Sequence, residues 1–168
     1  MSWTCECTES TNFKVKNTKE VKEVLTDVGF DVYEDKEGLS FFGEEGTYMD
    51  EECEIVLSLK PIEIEGELKS YIGLDNPQAY DIDSEHNPEE LMEELGLEEK
   101  DVMRVPIYEY LQDQLEEGSY IVLTNSGYEE RTSGKCCPFG SVEIITKNAT
   151  DSYSLCSLAD KLINKYVK

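Results

Sequence analysis

The 168-residue sequence predicts an α+β protein in which helices pack on one face of one or more antiparallel sheets, in a ferredoxin-like or related arrangement. Two observations support this fold class. Short segments in which apolar and polar residues alternate, as in strands, come in groups, and amphipathic helical stripes occur between the groups. A doubly wound sheet would instead show one helix after each strand. Apolar residues make up 39% of the chain, which is enough to bury a core.

The first predicted element is a strand over residues 12–16 (NFKVK), where apolar and polar residues alternate. A helix is predicted next, because Asn17 and Glu20 have the spacing of a capping box and Gly29 stands where a helix commonly ends. The apolar stripe of this helix consists of Val21, Val24, Leu25 and Val28.

Strands are predicted up to residue 64. One begins at Phe30 and returns over residues 39–42 after a tight turn. Two more cover residues 54–59 and 62–64, and Pro61 between them indicates an edge strand or a break.

Two segments of the middle region are predicted to be loops. Residues 43–52 form a predicted loop that contains five acidic residues. Residues 66–86 are rich in Gly, Asp and Asn, so we expect an exposed, moderately acidic excursion.

The second helical zone has the clearest start signal in the chain. Asn87 is the predicted N-cap, Pro88 suits the first helical position, and Glu89 and Glu90 lie in the first turn, where the helix dipole favours negative charge. Gly96 is the predicted end of this helix.

The pattern predicts two further helices before residue 118. One covers residues 97–103, and Pro106 either interrupts it or begins the next one. The stripe of the next helix consists of Ile107, Tyr110, Leu111 and Leu115.

The C-terminal region reads as strands followed by a helix. Strands are predicted over residues 120–124 and 142–146, with a turn at 125–127 and a returning strand over 128–133. The stripe of the C-terminal helix consists of Leu155, Leu158, Leu162 and Tyr166.

These patterns predict a core and a division of the chain. The predicted core residues are Val21, Val24, Leu25, Val28, Ile55, Leu57, Ile121, Leu123, Ile144, Leu158 and Leu162. The predicted parts are a β-α-β-β half (residues 1–65), the acidic excursion (66–86) and an α-α-β-β-α half (87–168), which together can form one continuous domain.

The net charge of −23 is concentrated in the middle of the chain. Residues 34–117 contain 27 acidic and five basic residues, a net charge of −22, whereas residues 1–33 carry −2 and residues 118–168 carry +1. Such a surface repels phosphates and anionic lipids, so we expect no direct binding to nucleic acid or membrane.

The sequence also predicts the cellular compartment of the protein. Its first residues, MSWTCE, show neither the basic nor the apolar region of a signal peptide, and no apolar run approaches the ~18 residues of a membrane span. We therefore expect a cytoplasmic protein, in the host cell cytoplasm if it is phage-encoded.

No motif in the sequence indicates catalysis or a cofactor. His86 is the single histidine, and the acidic residues around it favour its protonated form, which does not suit a general base. Asp81, Asp83 and Glu85 alternate like the start of a calcium loop, but His86 stands at the glycine position and Met92 at the twelfth. We expect no catalytic residues, no metal and no cofactor.

Four of the six cysteines raise the alternative of a shared metal site. Cys5 and Cys7 would share one strand face, and Cys136 and Cys137 would point to opposite faces, in neither case with the C-x-x-C spacing of a zinc knuckle. A shared site would also require the N-terminal strand to lie beside the 119–146 hairpin. Ordinary thiols are the favoured interpretation.

In size and charge the chain resembles the small acidic proteins that phages and mobile elements use against host defence, namely antirestriction and anti-CRISPR proteins that imitate nucleic acid. The resemblance implies a non-enzymatic inhibitor that occupies the basic groove of a nucleic-acid-binding effector or nuclease. The acidic residues expected on exposed loops and helix faces are Glu44, Glu45, Asp50, Glu51, Glu52, Asp81, Asp83, Glu85, Glu89, Glu90, Glu93 and Glu94.

Three alternatives stay open. The partner can be a basic regulatory protein bound without mimicry of a duplex, or the acidity can serve solubility alone. The chain can also be a small cytosolic enzyme or metabolite-binding domain with its site in the C-terminal half. The residues that would form such a site are Tyr120, Tyr128, Arg131, Lys135 and Cys136.

Overall fold

The computed structural model describes residues 3–43, 53–64, 66–75, 88–130, 136–154 and 157–158. The described elements are β1 (Trp3–Ser10), α1 (Thr18–Asp27), β2 (Asp31–Asp35), β3 (Gly38–Gly43), β4 (Glu54–Ile64), β5 (Glu67–Asp75), α2 (Pro88–Leu95), β6 (Val102–Pro106), α3 (Ile107–Gln114), β7 (Tyr120–Glu130), β8 (Cys136–Thr146) and β9 (Ala149–Ser154). A 3-10 turn (Glu99–Asp101) precedes β6.

The strands form two antiparallel sheets. The large sheet has the order β2-β3-β1-β7-β8-β9, so it combines the first three strands with the last three. The small sheet has the order β5-β4-β6. The α+β fold class is confirmed, whereas the ferredoxin-like arrangement stays a prediction.

Two helices lie between the sheets. α1 contacts β2 and β3 on one side and β5 on the other, and α3 contacts β8 on one side and β4 and β6 on the other. The main core fills this space, and it includes Leu25 from α1, Leu111 from α3, Ile121 from β7 and Ile55 from β4. α2 packs on β5, and Met92 joins a second cluster with Val56, Ile72 and Val102. Because Ile55 and Val56 point to opposite faces, the small sheet is buried on both sides.

Helix α1 forms as its sequence predicts. The side chain of Asn17 accepts a hydrogen bond from the backbone N–H of Glu20, at 3.3 Å, and so caps the first turn. The predicted stripe is buried, and Gly29 adopts a φ of 96° at the C-terminal end.

The predicted strand at residues 12–16 is wrong in position. The strand lies upstream, at β1, and within residues 12–16 only two isolated bridges form, from Phe13 to Leu39 and from Val15 to Leu115. The approach of Phe13 to the start of β3 is so close that a Cβ on Gly38, whose φ is +133°, would lie 2.2 Å from the Phe13 carbonyl oxygen. Only glycine fits there.

Two predictions in the middle of the chain are also wrong. Within the expected loop at 66–86, residues 67–75 form β5, whose residues from Tyr71 to Leu74 are all buried and therefore show no polar-apolar alternation. The expected helix over 97–103 is replaced by the 3-10 turn and β6, because residues from Val102 onwards pair with β4.

In the C-terminal region, the strands are longer than expected. The predicted turn at 125–127 is part of β7, which is held by β1 on one side and β8 on the other. The side chain of Asn125 accepts a hydrogen bond from the Thr8 hydroxyl at 2.6 Å instead of forming a turn. β9 follows β8 although its polar sequence, ATDSYS, gives no strand signal.

Most of the predicted core is confirmed. The buried members are Val21, Val24, Leu25, Val28, Ile55, Ile121 and Leu123. Leu57, Ile144 and Leu158 are only partly buried, and Leu162 lies outside the described residues. Ile145 is fully buried in place of Ile144, because it pairs with Ile121 and shares its inward face.

Candidate interaction surface

The structure describes four of the twelve acidic residues predicted to bind a partner. Glu89, Glu90, Glu93 and Glu94 all lie on α2, and all four are exposed. The remaining eight lie outside the described residues, and so does His86; the eight are Glu44, Glu45, Asp50, Glu51, Glu52, Asp81, Asp83 and Glu85.

The amphipathic pattern of α2 sets which side faces solvent. Pro88 and Met92 are buried, Leu91 packs against the apolar cluster of the small sheet, and Leu95 is partly buried. The helix ends as predicted, since Gly96 takes a φ of 66° and donates its N–H to the Glu93 carbonyl oxygen. Because the apolar side of α2 packs on the sheet, the glutamates on its opposite side face solvent.

The charge density along residues 89–94 of α2 is of the same order as that of duplex DNA. Four carboxylates occur within six consecutive residues, which at 1.5 Å per residue is about one negative charge per 2.3 Å of helix axis. Duplex DNA carries one negative charge per about 1.7 Å of axis.

Glu89 and Glu90 suit the first turn of α2, but two other features of this arrangement lower the stability of the helix. Glu89 and Glu93, like Glu90 and Glu94, are like-charged pairs at i, i+4, each costing about 0.2–0.5 kcal/mol in an isolated helix. Glu93 and Glu94 also lie near the negative end of the helix dipole, where the last turn has no basic residue. Within the described ranges no Lys or Arg pairs with Glu90, Glu93 or Glu94.

Acidic residues also occur in the 3-10 turn that follows α2 in the chain. The backbone N–H of Glu98 donates to the Asp101 carboxylate at 3.0 Å, which holds the turn closed. Lys100 pairs with Glu98 at 2.5 Å, and Arg104 pairs with Glu99 at 3.3 Å and with an aspartate of β5. Burial works to lower the pKa of Arg104, but the nearby carboxylates outweigh this and raise it.

A second row of acidic residues, on α1, was not singled out by the sequence analysis. Glu20, Glu23 and Asp27, here called the α1 carboxylate row, are partly buried and face β5 and α3. Their i, i+3, i+7 spacing beside the apolar stripe is the signal that could have identified them.

Every member of the α1 carboxylate row has a partner inside the protein. Glu20 accepts hydrogen bonds from the hydroxyls of Tyr110, at 2.9 Å, and Ser70, at 2.7 Å. Asp27 accepts one from the Tyr71 hydroxyl at 2.7 Å, and Glu23 pairs with Lys69 at 2.5 Å. A shallow cleft beside this row is lined by Asn17, Lys19, Glu67, Leu68 and other residues of α1 and β5.

The two tyrosines of this contact are held in their neutral form. Burial raises the pKa of Tyr71, and the adjacent Asp27 carboxylate raises it further. Burial likewise raises the pKa of Tyr110, with a further contribution from Glu20. Both hydroxyls therefore act as donors that join α1 to β5 and α3.

The alternative site in the C-terminal half is only partly described. Tyr120 is exposed at the start of β7, Tyr128 and Cys136 lie on neighbouring strands, and Arg131 and Lys135 lie outside the described residues. The structure therefore does not bring these five residues together in one described site.

The cysteine hypothesis required β1 to lie beside the C-terminal hairpin, and it does. β1 pairs with β7, with Cys7 opposite Ser126, but β7 separates β1 from the strand that contains Cys136 and Cys137. The Cys7 thiol lies 3.3 Å from the Ser126 hydroxyl. In the part of the chain that the structure describes, no three His, Cys, Asp or Glu side chains group closely enough to hold a metal ion.

None of the helices in the described ranges has the length and apolarity needed to cross a bilayer. Comparison with protein-family models, with curated proteins and with solved structures finds no match to this chain.

Proposed function

We propose that this chain is a non-enzymatic interaction protein that uses the exposed glutamates of α2 to bind a basic partner. The partner class is a nucleic-acid-binding effector or nuclease, whose phosphate-binding groove the acidic surface occupies. An inhibitor of host defence, encoded by a phage or mobile element, is the biological role that suits this activity.

The observation that carries the proposal is the linear charge density of residues 89–94 of α2. About one carboxylate per 2.3 Å of helix axis offers a basic groove nearly the same density of negative charge as a duplex does. A groove that attracts phosphates at this density attracts carboxylates for the same electrostatic reason.

The cost of this arrangement gives independent support. The like-charged pairs and the unfavourable dipole end mean that Glu93 and Glu94 do not serve the stability of the helix, whereas Glu89 and Glu90 lie in its first turn, where the dipole favours them. A role in solubility alone needs charge somewhere on the surface, but it does not need four carboxylates on one eight-residue helix.

A capture experiment tests the proposal. The wild-type chain is immobilised beside two full-length variants and exposed at low salt to a lysate of the organism in which it acts. The α2 triple variant carries Glu90→Lys, Glu93→Lys and Glu94→Lys. The control triple variant carries Glu37→Lys, Asp113→Lys and Glu116→Lys, an equal charge change at exposed residues of other elements.

The expected result is that wild type and the control triple variant retain the same nucleic-acid-binding protein, and that the α2 triple variant loses it. Duplex DNA added as a competitor should release the retained protein, because both ligands need the same groove. Equal retention by all three chains, or retention that duplex DNA does not affect, would show that the α2 surface is not the binding site.

A further inference from the structure

Strand β2 forms one edge of the large sheet. It pairs with β3 on one side, and in the described ranges no strand pairs with its other side. Four of its five residues are exposed, including Tyr33, which is 58% exposed. An edge strand of this kind presents backbone N–H and C=O groups that have no partner in the sheet.

The hydrogen bonds of β3 show which backbone groups of β2 point to the open edge. Leu39 exchanges backbone hydrogen bonds with Phe13, and the N–H of Phe41 donates to a serine hydroxyl of β1 at 2.9 Å, so both residues of β3 face away from β2. Their partners on β2 are Glu34 and Val32. In an antiparallel ladder the two residues of such a pair direct their backbone groups away from each other. The N–H and C=O groups of Val32 and Glu34 therefore point outward.

The side chains of β2 differ between its two faces. Val32 packs against the main core, and the carboxylate of Glu34, on the same face, lies 3.9 Å from a lysine amine of α1. The opposite face carries Asp31, Tyr33 and Asp35, all exposed. A strand added at this edge would therefore lie beside an apolar side chain on one face, and beside two carboxylates and an aromatic ring on the other.

We propose that the open edge of β2 binds an extended basic segment of another protein as an additional strand. The segment has Lys or Arg at every second position, on the face of Asp31 and Asp35, and apolar residues between them, on the face of Val32. Backbone hydrogen bonds with Val32 and Glu34 hold the segment in register. The exposed ring of Tyr33 adds a contact with one of its cations.

Charge selects this occupant over a second copy of the chain. β2 has three acidic residues among five and no basic residue, so pairing of two β2 strands would bring like charges together across the pair. Charge also selects β2 over β9, the strand at the other end of the large sheet, which has a single acidic residue. The proposal goes beyond the function given to α2, and neither surface needs the other.

Hydrogen exchange of the full chain, followed by NMR, tests the proposal. The probe is a ten-residue peptide in which Lys and Val alternate, and the control peptide has the same residues in two blocks, five Lys followed by five Val. In the free protein the Tyr33 amide should be protected, whereas the Val32 and Glu34 amides should exchange quickly. The alternating peptide should slow exchange at Val32 and Glu34 by about tenfold or more, and the control peptide should not.

Two variants at one position separate backbone pairing from charge. Glu34→Pro removes an outward N–H without removing a hydrogen bond to β3, since edge strands accept proline where the N–H faces solvent. Glu34→Gln removes the charge and keeps the N–H. The alternating peptide should no longer slow exchange at Val32 in the Glu34→Pro variant, and it should still do so in the Glu34→Gln variant.

Three results would overturn the proposal. The first is unchanged exchange at Val32 and Glu34 when the alternating peptide is added, and the second is equal slowing by the two peptides, which would indicate attraction by charge alone. The third is equal slowing at the amides of β9, which would mean that the peptide adds to any edge. The wild-type exchange pattern decides the proposal even if Glu34→Pro does not fold. The α2 triple variant should respond to the peptide as wild type does, so either proposal can fail without the other.

Discussion

The acidic residues of α1 and α2 have similar chemistry but opposite environments. The α1 carboxylate row is partly buried, and tyrosine, serine and lysine groups of the same chain use its oxygens. The α2 glutamates are exposed, and three of them have no basic partner within the described ranges. The first set stabilises the contact of α1 with β5 and α3, and the second presents charge to solvent.

This difference shows that net charge alone does not locate a functional surface. Both helices are rich in acidic residues, yet removal of the carboxylate should weaken the fold at Glu20 of α1 and strengthen it slightly at Glu94 of α2. Stability measurements therefore separate the structural acidic residues from those free to bind a partner, before the partner is known.

The largest expected effect is on the apolar side of α1. Leu25 is fully buried in the main core, so Leu25→Ala should lower the free energy of unfolding by about 2–5 kcal/mol. Chemical denaturation measures it. If the free energy of unfolding stayed near that of wild type, α1 would not be packed between the two sheets. Its carboxylates would then not stabilise a contact with β5 and α3.

The next effect separates the two acidic sets. Glu20→Ala leaves the hydroxyls of Tyr110 and Ser70 without their acceptor, which should lower the free energy of unfolding by about 1–3 kcal/mol. The matched change Glu94→Ala should stay within about 0.5 kcal/mol of wild type. Adding Tyr110→Phe to Glu20→Ala should recover part of the lost free energy of unfolding, because it removes a hydroxyl that has no acceptor. Equal effects of Glu20→Ala and Glu94→Ala would refute the distinction between the α1 carboxylate row and the α2 glutamates.

A third effect appears at alkaline pH. Tyr71 and Tyr110 have raised pKa values in the folded protein, mainly through burial, so the unfolded chain releases these protons first. Their contribution to the free energy of unfolding is fully present below the tyrosine pKa of the unfolded chain, which is about 10. Above that pH, each tyrosine should lower the free energy of unfolding by about 1.4 kcal/mol per pH unit. The Tyr71→Phe, Tyr110→Phe double variant should lose stability less steeply there than wild type; an unchanged slope would argue against buried, neutral tyrosines.

The smallest effect is a gain in stability. Glu94→Gln removes the like-charged pair with Glu90 and a charge at the unfavourable end of α2, so it should raise the free energy of unfolding by about 0.2–0.5 kcal/mol. The gain should be larger at low salt, where repulsion is less screened. Denaturation at two ionic strengths measures it, and a loss of stability would mean that Glu94 has an internal role.

Sequence periodicity was sufficient to predict the amphipathic helices of the fold. The stripe of α1, its Asn17 cap and the stripe of α3 follow directly from spacing and capping chemistry. β5 could not be found in this way, because burial on both faces removes alternation between Tyr71 and Leu74. The inward face of β8 was equally ambiguous, since Ile144 and Ile145 are adjacent and only pairing with Ile121 selects the second.

The candidate surface was predictable only in part for a related reason. Sequence placed Glu90, Glu93 and Glu94 on the outer side of a helix, and the structure shows all three exposed on α2, whereas the predicted N-cap, Asn87, lies outside the described residues. It could not show that Glu20 and Asp27 are used internally, because their partners come from β5 and α3, which are distant in the chain. Contacts across the fold decide which carboxylates are available to a partner.

The most direct test of the central claim is the association rate with the captured partner, measured at low and at physiological ionic strength. We expect the α2 triple variant to associate at least about tenfold more slowly than wild type at low salt, with a smaller difference at higher salt. The control triple variant should stay within about twofold of wild type. Equal rates for the α2 triple variant and wild type at low salt would contradict the account.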